Sequence, residues 1–235
     1  MKKNLLICET VTKDYTDGNG LSQAIKKVSF TIAKGEFTVI LGPTGSGKST
    51  LLNLMSGLDI PTSGRVIFDG APISNYKQHQ LTDLRRVKIG FIFENFNLIP
   101  SLTVRENIEV VTELIKFPTN LEQILSGVGL LERSEHFPGQ LSKGEQQRVA
   151  LARAVAKNPL MICCDEPTGG LDYKEGLIIL KLLKVINQAT EKNIVIATDN
   201  QALAMVADQI IKLQSGEVLE IVENQPPINL DEIVW

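Results

Sequence analysis

The segment GPTGSGKST, at residues 42–50, decides which fold the chain is expected to adopt. It matches the pattern G-x-x-x-x-G-K-[ST]. The apolar run FTVIL precedes it and LLNLM follows shortly after it, so the segment lies between a predicted strand and a predicted helix. That context indicates a phosphate-binding loop. A glycine-rich turn without a ligand is the alternative for an isolated match.

The residue types within this loop suit a nucleoside triphosphate. Glycine lets the backbone curl so that amide groups point at a phosphate, and the dipole of the following helix favours the anion. Lys48 is expected to reach the β- and γ-phosphates, and the Ser49 hydroxyl to bind Mg²⁺. Thr50 is expected to support the helix. The predicted nucleotide-binding residues of the loop are Gly42, Pro43, Thr44, Gly45, Ser46, Gly47, Lys48, Ser49 and Thr50.

Two carboxylates follow a predicted buried strand further along the chain. The apolar run LMICC at residues 160–164 ends in Asp165 and Glu166. A carboxylate at the end of such a strand can hold Mg²⁺, and this role falls to Asp165. A second carboxylate can act as general base on an attacking water, and this role falls to Glu166. An Asp-Glu pair alone is usually a solvated strand end, so the prediction depends on the phosphate-binding loop upstream.

The segment LSKGEQQRVALARA, at residues 141–154, adds a second anion-binding feature. It places Ser142 just before a predicted helix that covers residues 144–157 and stops at an Asn-Pro pair. A helix N-terminus directs backbone amides and the positive end of its dipole at an anion. We expect this segment to contact a phosphate that is bound to another subunit.

The composition is that of an ordinary globular protein. Of 235 residues, 43% are hydrophobic and 22% are charged, and the net charge of −3 provides no basic surface for nucleic acid. No apolar run approaches the ~20 residues that span a bilayer. The first fifteen residues predict a strand rather than a signal peptide. Cys163 and Cys164 are neighbours on one strand and should point to opposite faces, so no metal or disulfide role is expected and a reducing cytosol fits best.

Apolar β-branched runs predict strands, and the stretches between them predict helices. No strong strand is predicted between residues 93 and 160, which indicates a helical region inserted in a mixed-sheet domain. The last twelve residues, 224–235, are polar and broken by prolines, and they are expected to form a short tail. Strands are predicted at residues 5–11, 28–32, 37–41, 65–68, 88–93, 160–164, 193–198, 209–213 and 217–222, and helices at 48–57, 104–116, 121–127, 144–157 and 173–191.

With these elements the chain resembles the ATP-binding subunits of ABC transporters along almost its whole length. The resemblance implies an α/β fold, a P-loop ABC-type nucleotide-binding domain. This fold has a mixed sheet core, an antiparallel β-subdomain and an inserted helical subdomain at about residues 94–158, within a single domain of residues 1–223. The finer match is to the ATPases of lipoprotein release and of macrolide or peptide export. It rests on DIPTSGRVIFDG (59–70), GFIFENFNLIPSLTVRENI (90–108), FPGQLSKGEQQRVALARA (137–154) and CDEPTGGLD (164–172).

The resemblance also implies cofactors and partners. ATP and Mg²⁺ would lie between the phosphate loop of one subunit and the LSKGE segment of a second, in a homo- or heterodimer. A membrane permease subunit would contact residues 94–108, so the chain would be cytoplasmic and peripheral at the inner face of the cell membrane. No nucleic-acid partner is expected.

Four further residues take roles from the resemblance. Tyr15 falls where an aromatic residue stacks on adenine, although local packing of a strand-end tyrosine is the alternative. Ser142 and Gly144 would contact the γ-phosphate held by the partner subunit. Asp172 would sit at the dimer interface between the two sites.

Three residues depart from the family pattern. Glu94 replaces a glutamine, and its carboxylate can still bind Mg²⁺. Lys143 replaces a glycine; it would be strained if that position needs a positive φ, and otherwise it either attracts a phosphate or is a solvated surface residue. Asp199 replaces a histidine that donates a hydrogen bond to the γ-phosphate, and an ionised carboxylate cannot donate. The catalytic set is then Lys48, Glu166 and the degenerate switch position Asp199, and the metal set is Ser49, Glu94 and Asp165.

Three functions are compatible with these motifs. The first is the energising ATPase of a membrane transporter that exports a peptide, lipid or hydrophobic drug, with hydrolysis weakened by Asp199. The second is an ATP-gated regulatory or mechanical module of a membrane complex, as in cell-division ABC systems. The third, a soluble ABC ATPase, is disfavoured because the chain has no tandem domains, coiled coil or basic patch.

Overall fold

The computed structural model describes residues 3–17, 20–115 and 119–224. The strands of this part of the chain are β1 (Asn4–Asp17), β2 (Gly20–Ala33), β3 (Phe37–Leu41), β4 (Ser63–Phe68), β5 (Ala71–Pro72), β6 (Ile89–Ile92), β7 (Met161–Asp165), β8 (Asn193–Thr198), β9 (Gln209–Gln214) and β10 (Glu217–Glu223). The helices are α1 (Lys48–Met55), α2 (Gln78–Lys88), α3 (Val104–Thr112), α4 (Leu121–Gly127), α5 (Lys143–Ala156), α6 (Tyr173–Thr190) and α7 (Gln201–Ala204).

The larger sheet positions the site because its parallel strands end at one edge. Its strand order is β10-β9-β3-β8-β7-β6. Five of these strands pair in parallel, and β10 pairs antiparallel with β9 at one side. The central strands are apolar throughout because both faces of the sheet are covered. The carboxyl ends of β3, β6, β7 and β8 therefore bring four chain segments to one edge, where open α/β sheets bind ligands.

The larger sheet separates two hydrophobic cores. On one face, a four-stranded antiparallel sheet of order β2-β1-β4-β5 and helix α1 form the sandwich core, which includes Leu51 and Cys163. On the other face, helices α3, α5 and α6 form the helical core, which includes Val149 and Cys164. The prediction that the two neighbouring cysteines point to opposite faces is confirmed.

Helices alone connect β6 to β7 in the described residues of that stretch. α3 and α5 bury Val104, Ile108 and Val149 in the helical core. The Thr103 hydroxyl accepts a hydrogen bond from the Glu106 amide and starts α3. The expected combination of mixed sheet, antiparallel sheet and inserted helices is therefore present. The division into one domain of residues 1–223 with a subdomain at 94–158 stays a prediction.

Several elements differ from the sequence prediction. The helix α2 was missed because only Leu81 and Leu84 are buried in it, which is too weak a periodicity to mark a helix. β2 begins at Gly20 and not at residue 28, and its first four residues are exposed, so they gave no signal of a buried strand. β1 likewise extends through polar residues to Asp17. Residues 116 and 225–235, the predicted end of α3 and most of the predicted tail, lie outside the described residues. None of the described helices is both long enough and apolar enough to cross a membrane.

Candidate functional site

The loop between β3 and α1 has a shape that only glycine permits. Gly47 has a φ of 102°, and a Cβ atom there would lie 2.6 Å from the carbonyl oxygen of Ala24. A Cβ atom at Gly42 would collide with the carbonyl oxygen of Leu213. α1 then begins at Lys48 without a side-chain cap and without an acidic residue in its first turn. Its first amide groups are therefore open to an anion.

The Lys48 side chain is buried beneath this loop. Its ammonium donates hydrogen bonds to the carbonyl oxygens of Gly42 at 2.9 Å and Pro43 at 3.2 Å, and it lies 3.6 Å from Oε1 of Glu166. The loop thus holds a positive charge beside open amide groups. Ser46 is also buried, and its amide donates to the Pro43 carbonyl oxygen, which closes the turn.

Oxygen ligands from two elements meet beside Lys48. The Ser49 hydroxyl donates to Oδ1 of Asp165 at 2.9 Å. Burial raises the pKa of Asp165, and repulsion by Glu94 adds to the effect, while the hydrogen bond from Ser49 opposes it. Glu94 is therefore close enough to act on Asp165. Mg²⁺ is a hard cation that proteins usually bind through one or two carboxylates together with substrate phosphates. The oxygens of Ser49, Asp165 and Glu94 suit such a site.

Glu166 follows β7 in a strained and fixed geometry. Its φ of 45° is uncommon for a residue with a side chain. Its amide donates to the carbonyl oxygen of Ala197 at 2.9 Å, and its Oε2 accepts a hydrogen bond from the Thr198 hydroxyl at 2.8 Å. Burial raises the pKa of Glu166, and repulsion by Asp199 raises it further, although the Thr198 hydrogen bond opposes both. A carboxylate with a raised pKa is a stronger base for a proton of water.

The phosphate loop, Glu94, Glu166 and Asp199 line a cleft of about 530 Å³. It collects residues from the ends of β3, β6, β7 and β8, as the topology predicts. Ten residues line it: Thr44, Gly45, Gly47, Lys48, Ser49, Thr50, Glu94, Glu166, Gly169 and Asp199. Asp199 is exposed and faces the same space as Glu166 and Lys48. Three carboxylates therefore line the same cleft as the Lys48 ammonium, and a fourth, Asp165, is hydrogen-bonded to Ser49 of the cleft wall.

The predicted phosphate-contacting residues of the LSKGE segment lie outside this cleft. Ser142 is the N-cap of α5, and its hydroxyl accepts a hydrogen bond from the Glu145 amide at 3.1 Å. Gly144 is buried, and a Cβ atom there would collide with the carboxylate of Glu175 on α6. Ser142 is exposed at the start of α5 and is not among the residues that line the cleft.

Lys143 is the first residue of α5 and has a helical backbone. It is absent from the residues with positive φ, so strain at this position is excluded. A Cβ atom at Gly170 would lie 3.8 Å from the Lys143 ammonium. Lys143 is exposed, and its charge lies beside the loop that follows Glu166.

Tyr15 lies at the margin of the site. The residue is 41% exposed, and its hydroxyl donates to Oδ2 of Asp59 at 2.7 Å. Burial and the Asp59 carboxylate raise the pKa of Tyr15, whereas Thr50 lowers it through a hydrogen bond. Thr50 lines the cleft, so the hydroxyl end of Tyr15 is adjacent to the cleft wall.

Sequence reasoning missed two residues of the site. Thr198 is fully buried at the end of β8 and orients Glu166. The only signal for it was a hydroxyl residue at the end of an otherwise apolar run. Gly169 lines the cleft, and a Cβ atom there would lie 3.2 Å from the Glu166 carbonyl oxygen and 3.5 Å from Cγ of Glu94. A side chain at this position would therefore crowd the backbone of Glu166.

A glycine loop, a buried lysine and a Ser–Asp pair at the carboxyl edge of a parallel sheet define the class of P-loop nucleoside triphosphatases. Comparison with known proteins gives the family. Residues 25–169 match the family described as ABC transporter. An ABC transporter ATP-binding protein of Methanocaldococcus jannaschii is 41% identical over 93% of the chain and 99% of its own length. The chain belongs to the ABC transporter family, as its ATP-binding cassette.

Solved structures and a longer relative complete the comparison. The dimeric cassette MJ0796 of the same archaeon, bound to ADP and Pi in a post-hydrolysis state, has a TM-score of 0.86 and 40% identity over 93% of this chain and 98% of that one. CbiO1 of Clostridium perfringens has a TM-score of 0.83 and 29% identity over 94% and 89%. An ABC transporter ATP-binding protein of Mycoplasma pneumoniae is 39% identical, and the chain spans 51% of its length. The fold is therefore that of ABC ATPase cassettes, and the chain covers about half of this longer relative.

Proposed function

We propose that the chain binds Mg-ATP in the cleft, hydrolyses it slowly, and energises a membrane ABC transporter that exports a peptide, lipid or hydrophobic drug. The observation that carries the proposal is the convergence of Lys48, Ser49 and Glu166 in one cleft with Asp199. In this proposal the triphosphate lies on the loop formed by Gly42, Pro43, Thr44, Gly45, Ser46 and Gly47, with Thr50 supporting the helix α1.

The proposed metal ligands fit Mg²⁺ by their chemistry. Ser49 and Asp165 place two oxygens together, and Glu94 is near enough to repel Asp165. No three acidic, histidine or cysteine side chains among the described residues form an ion site by themselves. This arrangement suits an ion that is held by one or two carboxylates and by substrate phosphates. When bound, Mg²⁺ would neutralise charge on the β- and γ-phosphate oxygens.

Glu166 is the proposed general base for the attacking water. Thr198 fixes one carboxylate oxygen at 2.8 Å, and the other oxygen lies 3.6 Å from the Lys48 ammonium. The carboxylate is therefore oriented before any ligand arrives, which avoids a reorganisation cost during the reaction. Its raised pKa favours acceptance of a proton from water.

Asp199 is the proposed cause of slow hydrolysis. An ionised carboxylate cannot donate a hydrogen bond to the γ-phosphate, and loss of one positioned donor costs about 10²–10³ in rate. Two unit charges about 4 Å apart also repel by roughly 1–4 kcal/mol, depending on the effective dielectric. Both effects act in the cleft that Asp199 lines.

Pairing with a second cassette would complete each site. We propose that Ser142, Gly144 and the Lys143 charge contact the γ-phosphate held by the partner subunit, in a homo- or heterodimer with Asp172 at its interface. Ser142 and Lys143 are exposed at the start of α5, which supports this placement. The similarity to a dimeric cassette points in the same direction.

The two remaining proposals concern the contact with a membrane subunit and the binding of adenine. We propose that residues 94–108, which include the exposed Ile99, contact a permease subunit, so that the chain is peripheral at the cytoplasmic face. Tyr15, at the margin of the cleft, is the proposed platform for adenine.

Steady-state phosphate release tests the proposal on substitutions of two residues. The wild type should turn over slowly, and Asp199→His should accelerate it by about 10²-fold. Asp199→Ala, which removes the repulsion without adding a donor, should accelerate it less. Glu166→Gln should abolish turnover and keep Mg-ATP affinity. Brisk wild-type turnover that Asp199→His leaves unchanged would contradict the proposal.

A second function is favoured by the presence of Asp199 where the family pattern has a histidine. Slow hydrolysis suits an ATP-gated regulatory or mechanical module, in which binding alone changes a membrane partner. Reconstitution in vesicles with the permease that co-purifies distinguishes the two. Movement of a candidate substrate across the vesicle membrane supports the transporter, and a conformational change without transport supports the module.

A further inference from the structure

The hydroxyl of Tyr15 is tied to a carboxylate. It donates to Oδ2 of Asp59 at 2.7 Å. The other oxygen of this carboxylate accepts hydrogen bonds from the Lys13 ammonium at 2.6 Å and from the Ile60 amide at 2.7 Å. Burial raises the pKa of Asp59, but the hydrogen bonds from Lys13 and Tyr15 outweigh it and leave the pKa below its ordinary value. Asp59 is therefore an ionised acceptor with three donors.

Asp59 also belongs to the chain segment that leaves the phosphate-loop helix. The amides of Leu58 and Asp59 donate to the carbonyl oxygen of Asn53 in α1 at 2.9 and 3.2 Å. α1 begins at the phosphate loop, so one short helix connects that loop to the carboxylate. The Tyr15 ring, which comes from the antiparallel sheet, is thereby fixed relative to the phosphate loop.

Lys13 fixes the same ring from one face. Its ammonium lies 4.9 Å from the ring centroid and also donates to the carbonyl oxygen of Ile60 at 2.8 Å. The Lys13 side chain is only 13% exposed, whereas Tyr15 is 41% exposed. A cation over the face of an aromatic ring attracts the ring and stabilises it in place. The exposed part of Tyr15 is then available to a flat partner.

We propose that Asp59 is a positioning residue for the base of the nucleotide. With Lys13, it holds the Tyr15 ring at a set distance from the phosphate loop, so that one rigid unit recognises base and triphosphate together. Ordering the ring before binding removes an entropy cost from association. This inference rests on the proposed role of Tyr15 as the base platform.

Isothermal titration with two ligands, Mg-ATP and magnesium tripolyphosphate, tests the inference. Asp59→Asn should raise the Kd of Mg-ATP by about three- to tenfold, the range expected for a lost aromatic contact, and leave the Kd of tripolyphosphate unchanged. Tyr15→Leu should have the same selective effect. In the Tyr15→Leu background, Asp59→Asn should have no further effect, because Asp59 acts through the ring. Asp69→Asn is the matched control, since Asp69 accepts hydrogen bonds from two lysines of its own, Lys34 and Lys88.

Three outcomes would overturn the inference. An equal loss of affinity for Mg-ATP and for tripolyphosphate in Asp59→Asn would indicate a structural role only. Additive losses in the double variant would show that Asp59 acts independently of Tyr15. If Tyr15→Leu leaves the ATP to tripolyphosphate ratio unchanged, then the base platform itself is wrong. By contrast, a wild type that binds neither ligand would refute the proposed Mg-ATP site and not merely the positioning of its base.

Discussion

Substitution of Gly47 by alanine tests whether close packing of the phosphate loop is what shapes the nucleotide site. The structure offers two matched controls, Gly45 and Gly70. All three glycines have positive φ, of 102°, 78° and 81° respectively. A Cβ atom at Gly45 or Gly70 would have no neighbour within 4 Å, whereas at Gly47 it would meet the Ala24 carbonyl oxygen at 2.6 Å. Gly45 lines the cleft, and Gly70 does not.

The magnitudes follow from these contacts. Alanine in the left-handed region costs roughly 1–2 kcal/mol, which should apply to all three variants. Real Cβ contacts do not fall below 3.0 Å, so at Gly47 the loop and the Ala24 carbonyl must separate by at least 3.0 − 2.6 = 0.4 Å. Overpacking of this kind adds about 1–3 kcal/mol. Each kcal/mol lowers Tm by about 2–4 °C in a chain of this size.

Thermal unfolding and Mg-ATP titration provide the assay. The Tm of Gly47→Ala should fall about twice as far as the Tm of Gly70→Ala. The affinity of Gly47→Ala for Mg-ATP should fall at least about tenfold, because the shifted amides no longer converge on a phosphate. Gly45→Ala should match Gly70→Ala in Tm but weaken ATP binding, since its methyl group enters the cleft. Gly70→Ala should bind ATP normally. The reasoning is refuted if Gly47→Ala and Gly70→Ala have equal Tm and equal affinity.

Three further predictions concern side chains near the site. Asp199→Asn should move the acidic limb of the pH–rate profile to lower pH. Burial and the charge of Asp199 raise the pKa of Glu166, so removal of that charge should lower it. A limb that does not move would show that Asp199 does not act on Glu166. Thr198→Val removes the hydroxyl 2.8 Å from Glu166 and should lower kcat by about tenfold or more while Mg-ATP affinity stays within about twofold; an equal change in both quantities would indicate a structural effect. Native protein should resist thiol reagents at Cys163 and Cys164, because burial raises the pKa of both thiols. Detection by mass spectrometry of a label on either of these two cysteines in the folded protein would contradict this.

Most of the cleft could be predicted from sequence because its residues follow continuous apolar strands. Phe37–Leu41 and Met161–Asp165 are almost entirely apolar, so the polar residues after them had to lie at a sheet edge. Which strands are neighbours is set by long-range pairing, which a single sequence does not display. The contact between Ser49 and Asp165 is therefore a structural finding, although both residues were candidates.

The elements that escaped prediction are those with weak apolar signals. α2 buries only two side chains, and β2 begins with four exposed residues. The connection between Tyr15 and Asp59 escaped for another reason. The two residues are 44 positions apart, and their hydrogen bond depends on how the antiparallel sheet meets α1. For Lys143 the sequence left open whether the backbone needs a positive φ, and only the helical backbone of α5 shows that it does not.

The separation of the two cores by the larger sheet has a genetic consequence. α1, which carries the phosphate loop, rests on the sandwich core, and α5, which carries the LSKGE segment, rests on the helical core. If the proposed dimer is a homodimer, a copy damaged in the sandwich core still offers a sound LSKGE segment, and a copy damaged in the helical core still offers a sound phosphate loop. A mixed dimer of the two damaged copies thus retains one complete ATP site. Mutations in opposite cores should complement each other when co-expressed, and mutations in the same core should not.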